Sequence, residues 1–198
     1  MALDKSEVMV GTLDQTDVIG AVRWAYAKND PTLPTLNSMN VSQGYTGLGY
    51  LVEDAFSIDF GNETETINEH NLGAVRVIKT GSTPVVTLKL LQTNAYNMGV
   101  MIGEDNVETE VADRTHGNQF KASFGASSIG EMGVLQILLK DGDRAAVILL
   151  PCAQVQNYSQ VDVDAKDAIG WECEFVGLVD DSGFGLYILY DDGEIVSA

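Results

Sequence analysis

Between Val85 and Gly103 the pattern of apolar and polar positions changes period once. Val86, Leu88 and Leu90 alternate with Thr87 and Lys89, the two-residue repeat of a strand with one dry face. Beyond Thr93 the repeat becomes helical, and Ala95, Met98, Met101 and Ile102 fall on one side. Asn94 is placed to accept a hydrogen bond from a free N–H of the first turn. Gly103 stands where a left-handed cap ends a helix. The spacing predicts a strand running straight into a helix over 94–103, with Ala95, Met98, Met101 and Ile102 as its core face.

Elsewhere the repeat is that of strands. Ile19 to Lys28 reads as one. Phe56, Ile58 and Phe60 alternate with Ser57 and Asp59, and the acidic continuation to Asn68 is polar on both faces. Ala74 to Lys79 is extended, and Gln119 to Phe124 is the one strand expected in the polar stretch 104–130. Leu135, Ile137 and Leu139 alternate, and Ala145 to Leu150 is a continuous apolar run. Asp141-Gly142 between them is a tight-hairpin signal. Ala153 to Val163 reads as a separate polar strand. Ile169, Trp171, Cys173 and Phe175 alternate with Glu172 and Glu174, and Leu186 to Tyr190 closes the series. About ten strands with one helix predict a mainly β fold, an antiparallel β-sandwich or barrel with one flanking α-helix.

The expected organisation is an N-terminal arm over 1–17, one domain over 18–190 and an acidic tail over 191–198. Residues 29–44 form a long loop without periodicity, a kind of segment that is usually functional or mobile. The segments 55–68 and 153–163 are too polar for a core, and both are expected to pack between subunits.

Composition narrows the function. Of 198 residues, 45% are hydrophobic, enough for a substantial core, and the formal charge is −18. Such a chain does not seek nucleic acid or anionic membranes by charge, because phosphate binding needs clustered Lys and Arg. No apolar run approaches the roughly 20 residues of a membrane-spanning helix, and the first residues lack the pattern of a secretory leader. Cys152 and Cys173 read as free thiols.

Candidate chemistry is sparse. Gly44, Gly47 and Gly49 have the wrong order for a nucleotide loop and lead into a strand. Asp162, Asp164 and Asp167 lack the glycine and closing glutamate of a calcium loop. His70 and His116 have no partner at zinc spacing, and no serine elbow accompanies them. No catalytic residue, metal site or cofactor is expected.

Five stretches taken together resemble the major tail (tail tube) protein of long-tailed bacteriophages with non-contractile tails. They are GAVRWA, GYTGLGYLVEDAFSID, TETINEHNLGAVRVIKTG, TLKLLQTNAYNMGVMIGE and AAVILLPCAQVQNYSQVDVDAKDAIGWECEFVGL. Order and spacing agree over most of 18–180. Asn68-Glu69-His70 depart from the family pattern, and 104–130 do not align. The resemblance implies a structural virion protein made in the host cytoplasm. Its subunits would form hexameric rings stacked into a tube, with DNA passing through the bore without specific binding. Further partners would be the tape measure, tail terminator and distal tail proteins. Bore-lining candidates are Ser57, Asp59, Glu63, Glu65, Gln154, Gln156 and Gln160. Inter-ring candidates on the long loop are Pro31, Leu33, Pro34, Leu36, Asn37 and Met39. Two other readings are the inner tube of a contractile tail or secretion machine, and a soluble carbohydrate-binding β-sandwich module. The second would need aromatics exposed on one concave face.

Overall fold

The computed structural model describes residues 9, 11–14, 16–17, 19–70, 73–159, 161, 163 and 166–194. The chain forms β1 (Thr12–Leu13), β2 (Val22–Tyr26), β3 (Thr46–Gly47), β4 (Leu51–Asp59), β5 (Asn62–Glu69), β6 (Gly73–Ser82) and β7 (Val85–Leu90). Helix α1 (Ala95–Ile102) follows, then β8 (Val107–Glu110), β9 (Gln119–Ala122), β10 (Gly133–Asp141), β11 (Arg144–Tyr158), β12 (Trp171–Gly177) and β13 (Tyr187–Asp191). The fold is mainly β with one helix, as the pattern predicted.

Among the described residues nine strands make one antiparallel sheet in the order β3-β2-β10-β11-β12-β7-β4, with β1 beside β10 and β13 beside β11. β5–β6 and β8–β9 are separate two-stranded ribbons. Strand β8 has only Val107 as an apolar position in Val-Glu-Thr-Glu, so no alternation announced it. It exists because it pairs with β9 beside the helix.

The β10–β11 hairpin is the spine of the sheet. Its turn lies one residue later than expected: Asp141 pairs with Arg144, leaving Gly142 and Asp143 as the central residues. Gly142 adopts φ +64° and Asp143 does not have positive φ. Glycine therefore leads the turn, as in type II′, where only the first central residue needs that conformation. β11 then continues for fifteen residues through Pro151, so the expected break before Ala153 does not occur. Its first part, Ala145 to Leu149, pairs with β13, and its second part, from Ala153, pairs with β12. Pro151 falls between the two, opposite the register shift in β10 between Gly133 and Leu135. A proline is tolerated in a sheet where the ladder needs no N–H from it.

The sheet curls around one principal core. Val22, Trp24, Leu88, Leu90, Leu135, Ile137, Leu150, Val155 and Phe175 are all buried in it, with the Trp24 and Phe175 rings 5.5 Å apart. α1 closes this core. The Asn94 side chain accepts from the Asn97 N–H at 2.8 Å. Met98, Met101 and Ile102 are buried, and Ala95 is half-buried in the first turn. Asn97 is buried too, and its Nδ2 donates to the Leu48 and Gln92 carbonyls. Burial of a side chain the size of Met98 contributes about 1.5–3 kcal/mol.

A second cluster lies on the opposite face of the same strands: Ala25, Val134, Leu138, Val147, Leu149, Leu189 and Tyr45, with Ile19, Met39 and Val41 against them. The long loop and the end of the arm therefore cover the back of the sheet. Thr12 and Leu13 pair with Lys140 and Leu139, and the Asp14 N–H donates to the Leu138 carbonyl. Arm residues before Met9, and Ile195 to Ala198 of the acidic tail, lie outside the described residues.

Candidate functional site

Directly paired residues of an antiparallel ladder project to the same face. The registers of β4, β7, β12 and β11 therefore define a polar face behind the principal core. Ser57 lies opposite Thr87, Thr87 opposite Glu174, and Glu174 opposite Asn157. One step along, Asp59, Val85, Val176 and Gln154 form a parallel row, and on the other side Lys89 faces Glu172. The intervening positions, Ile58, Val86, Phe175 and Val155, point into the core. Side chains on this face are cross-linked: Gln156 Nε2 donates to Glu174 at 3.3 Å, and Ser159 Oγ donates to Glu172 at 2.8 Å.

The structure thus brings Ser57, Asp59, Gln154 and Gln156 together on one face. Ser57, Asp59 and Gln156 are exposed, whereas Gln154 is half-buried and donates to the Gly130 carbonyl at 2.8 Å. Gln160 lies outside the described residues. Thr87, Glu172 and Glu174 complete the face and were missed. The signal for them was only their place as the polar halves of the two clearest alternations. Neither 55–68 nor 153–163 is wholly free of the core. Phe56 and Ile58 pack against it, and Ala153 and Val155 are buried within it.

Glu63 and Glu65 belong elsewhere, on the β5–β6 ribbon. This ribbon continues the β4–β7 pairing past a turn, where the Thr83 N–H donates to the Gly61 carbonyl and Ser82 Oγ to that of Phe60. Eight residues of strand extend it by roughly 26 Å. Every residue of β5 is exposed, and so is nearly every residue of β6. Among the described residues neither strand pairs with anything but the other. Cross-strand rows place Glu65 beside Ile78 and Ile67 beside Arg76 on one face, and Thr66 beside Val77 on the other. Ile67, Val75, Val77 and Ile78 stand in solvent on a ribbon with two open edges.

The long loop is not the free segment its composition suggested. Pro34 is buried, and Met39 is half-buried against the second cluster. Pro31 is half-buried, and the Tyr45 hydroxyl donates to the Thr32 carbonyl at 3.1 Å. Thr35 and Ser38 exchange backbone hydrogen bonds, which lifts Leu36 and Asn37 into a tight exposed tip. Of the six loop candidates, Leu33, Leu36 and Asn37 are exposed, Leu36 at 76%. The anchoring side chains, Pro34, Met39, Val41 and Tyr45, follow no period, so the pattern could not reveal them.

These surfaces suit packing against other chains better than chemistry. The family model described as phage tail tube protein matches residues 1–191 of the 198. The chain belongs to the phage tail tube protein family. No curated protein matches it. A tail tube protein is a structural component of the virion tail, assembling with itself and with other tail proteins, and the family is not an enzyme class. Among the described residues no cluster of His, Cys, Asp and Glu could hold a metal ion, and no helix is long and apolar enough to cross a membrane.

Proposed function

We propose that this tail tube protein assembles into hexameric rings, stacked as the tube of a long, non-contractile tail that delivers DNA to the host. The observation that carries this reading is the β5–β6 ribbon. A lone two-stranded ribbon is marginal in water, and open edges flanked by exposed Ile67, Val75, Val77 and Ile78 invite pairing with another chain. Its partner is a neighbouring subunit, and ring closure removes the free edges of the sheet. The exposed loop tip at Leu36 and Asn37 serves contacts between rings, and the tube ends meet the tape measure, terminator and distal tail proteins.

The polar face of β4, β7, β12 and β11 lines the bore. It carries Asp59, Glu172 and Glu174 against Lys89, on a chain of charge −18. A wall rich in Lys and Arg would bind DNA by releasing counterions and hold it. An acidic wall repels the duplex across a Debye length of about 8 Å at physiological salt.

Replacing residues 63–81 by a two-residue turn tests the reading. The shortened protein should stay folded and monomeric in light scattering while the full chain grows tubes visible by negative-stain microscopy. Normal tubes from the shortened protein would refute the role of the ribbon. A tube reconstruction with a net positive inner wall would refute the bore assignment.

A further inference from the structure

Arg23 is a fully buried cation on the back of β2, the face of the second apolar cluster. Its neighbours Val22 and Trp24 point into the principal core. The guanidinium reaches two segments well separated in the chain: Nε and one terminal nitrogen make its hydrogen bonds, and the other terminal nitrogen makes no hydrogen bond and is held by an ion pair alone. From the arm, the Gly20 carbonyl accepts from Nε at 2.8 Å, and Asp17 Oδ2 lies 2.8 Å from a terminal nitrogen. From the long loop, Asn40 Oδ1 and the Val41 carbonyl accept from the other terminal nitrogen at 2.6 and 3.1 Å. Asn40 Nδ2 donates in turn to Asp17 at 3.3 Å, closing the circuit. Beside it on β10, the paired residue Gln136 is also fully buried and donates to the Met39 carbonyl at 3.1 Å.

Stability does not call for this arrangement. Ile19, Met39, Val41 and Tyr45 already give the arm and the loop an apolar seat, and a buried ion pair is seldom more stabilising than well-packed apolar side chains of the same volume. A buried charge instead makes one contact conditional on the others. With the arm lifted, Arg23 stays desolvated beneath the loop without its carboxylate. With the loop lifted, one terminal nitrogen loses both oxygens that accept from it. Either half-docked state leaves a polar group poorly satisfied in a low-dielectric site. The arm also sits closely on the next strand. A Cβ at Gly47, the β3 residue paired with Arg23, would lie 1.8 Å from the Ile19 carbonyl oxygen.

We propose that Arg23 couples the arm around Asp17 to the loop around Asn40, so that the two dock and release as one latch. A pull on either segment by a neighbouring molecule then reaches the other through Arg23. The coupling is a property of the single subunit and stands apart from whether that subunit builds tubes.

Hydrogen exchange on the free full-length protein tests it. The amides to follow are Asp14 on the arm, Gly20 just after it, Ser38 on the loop and Tyr45 at its end, all hydrogen-bonded in the docked state. Asp17→Asn is isosteric and sits at the rim of the site, so the fold should survive it. It should speed exchange at all four amides together, by about tenfold or more, with the β10 and β11 core amides unchanged. In an Arg23→Met background the same Asp17→Asn change should leave Ser38 and Tyr45 unaffected. Gly47→Ala, which displaces Ile19, should release the loop as well as the arm. Acceleration confined to the arm in Asp17→Asn or Gly47→Ala would overturn the proposal. So would an effect on the loop that persists undiminished without Arg23, since other contacts would then carry it.

Discussion

The β10–β11 hairpin and the β5–β6 ribbon share one design, two antiparallel strands consecutive in the chain, yet they live in opposite surroundings. In the hairpin Leu135, Ile137, Ile148 and Leu150 face the principal core, and Val134, Leu138, Val147 and Leu149 face the second cluster. It is buried on both faces and flanked on both edges. Among the described residues no side chain of the ribbon joins either apolar cluster, and its valines and isoleucines stand in water. The same pairing of two consecutive strands therefore occurs with and without a core around it. Burial decides whether a pair of strands holds the subunit together or offers itself to another.

The sharpest way to break this contrast is to place a charge in the core. Met98→Asp would bury an unpaired carboxylate or undock α1, a failure that typically costs ~3–5 kcal/mol. The melting temperature should fall steeply, and an unchanged one would put α1 outside the core. Truncations come next. Leu150→Ala should lose about 2–5 kcal/mol in urea unfolding, because a cavity remains at a fully buried site. Val77→Ala on the ribbon, where the side chain is 63% exposed, should stay within about 0.5 kcal/mol of the parent while weakening tube growth. Equal losses at both positions would erase the distinction. A smaller effect is expected at the helix cap, where Asn94→Ala should cost about 1 kcal/mol in a thermal melt.

Thiol chemistry reads the same contrast without perturbing it. Burial pushes the Cys173 thiol up to about 12, with Glu172 adding to the shift. Cys152 is raised as well, by partial burial and then by Asp180 and Asp181. The thiolate is the reacting form. At pH 8, Cys173 should resist maleimide until the protein unfolds, Cys152 should react slowly, and a cysteine introduced as Val77→Cys should react at once. Mass spectrometry of a labelling time course would show the order, and rapid labelling of Cys173 in the folded protein would contradict it.

What could be read ahead of the structure follows from how each residue is satisfied. The alternations of β7 and β12, the hairpin before Arg144 and the Asn94-capped helix each announce themselves within a few positions, because local period and burial agree there. Residues that depend on distant partners were opaque. Nothing near Pro151 says that β11 changes neighbours at that point and so has no use for an N–H. Arg23 and Gln136 look like surface residues by type, and they are buried under distant segments: Asp17, Gly20, Asn40 and Val41 over Arg23, and Met39 over Gln136. The polar face was half legible: Ser57, Asp59 and Gln156 were found by their polarity. Thr87, Glu172 and Glu174 are the polar positions of strands whose alternation marks only the core face, so nothing local sets them apart from ordinary solvent-facing residues. Glu63 and Glu65 were grouped with Ser57 by continuity of sequence, and the turn at Phe60 and Gly61 separates them in space.

The pairing of Thr12 with Lys140 also fixes an order of events during synthesis. Strands that meet across more than a hundred residues close late, because the loop between them must form first. β1 leaves the ribosome first and has nothing to pair with until β10 emerges. The partners in the β4–β7 and β5–β6 pairings lie within a short span and have all emerged long before then. A growing chain thus exposes Ile67, Val75, Val77 and Ile78 while its own core is still missing a spine, and nascent subunits on one messenger carry these segments side by side. Chains of charge −18 repel one another at that stage, and salt screens such repulsion.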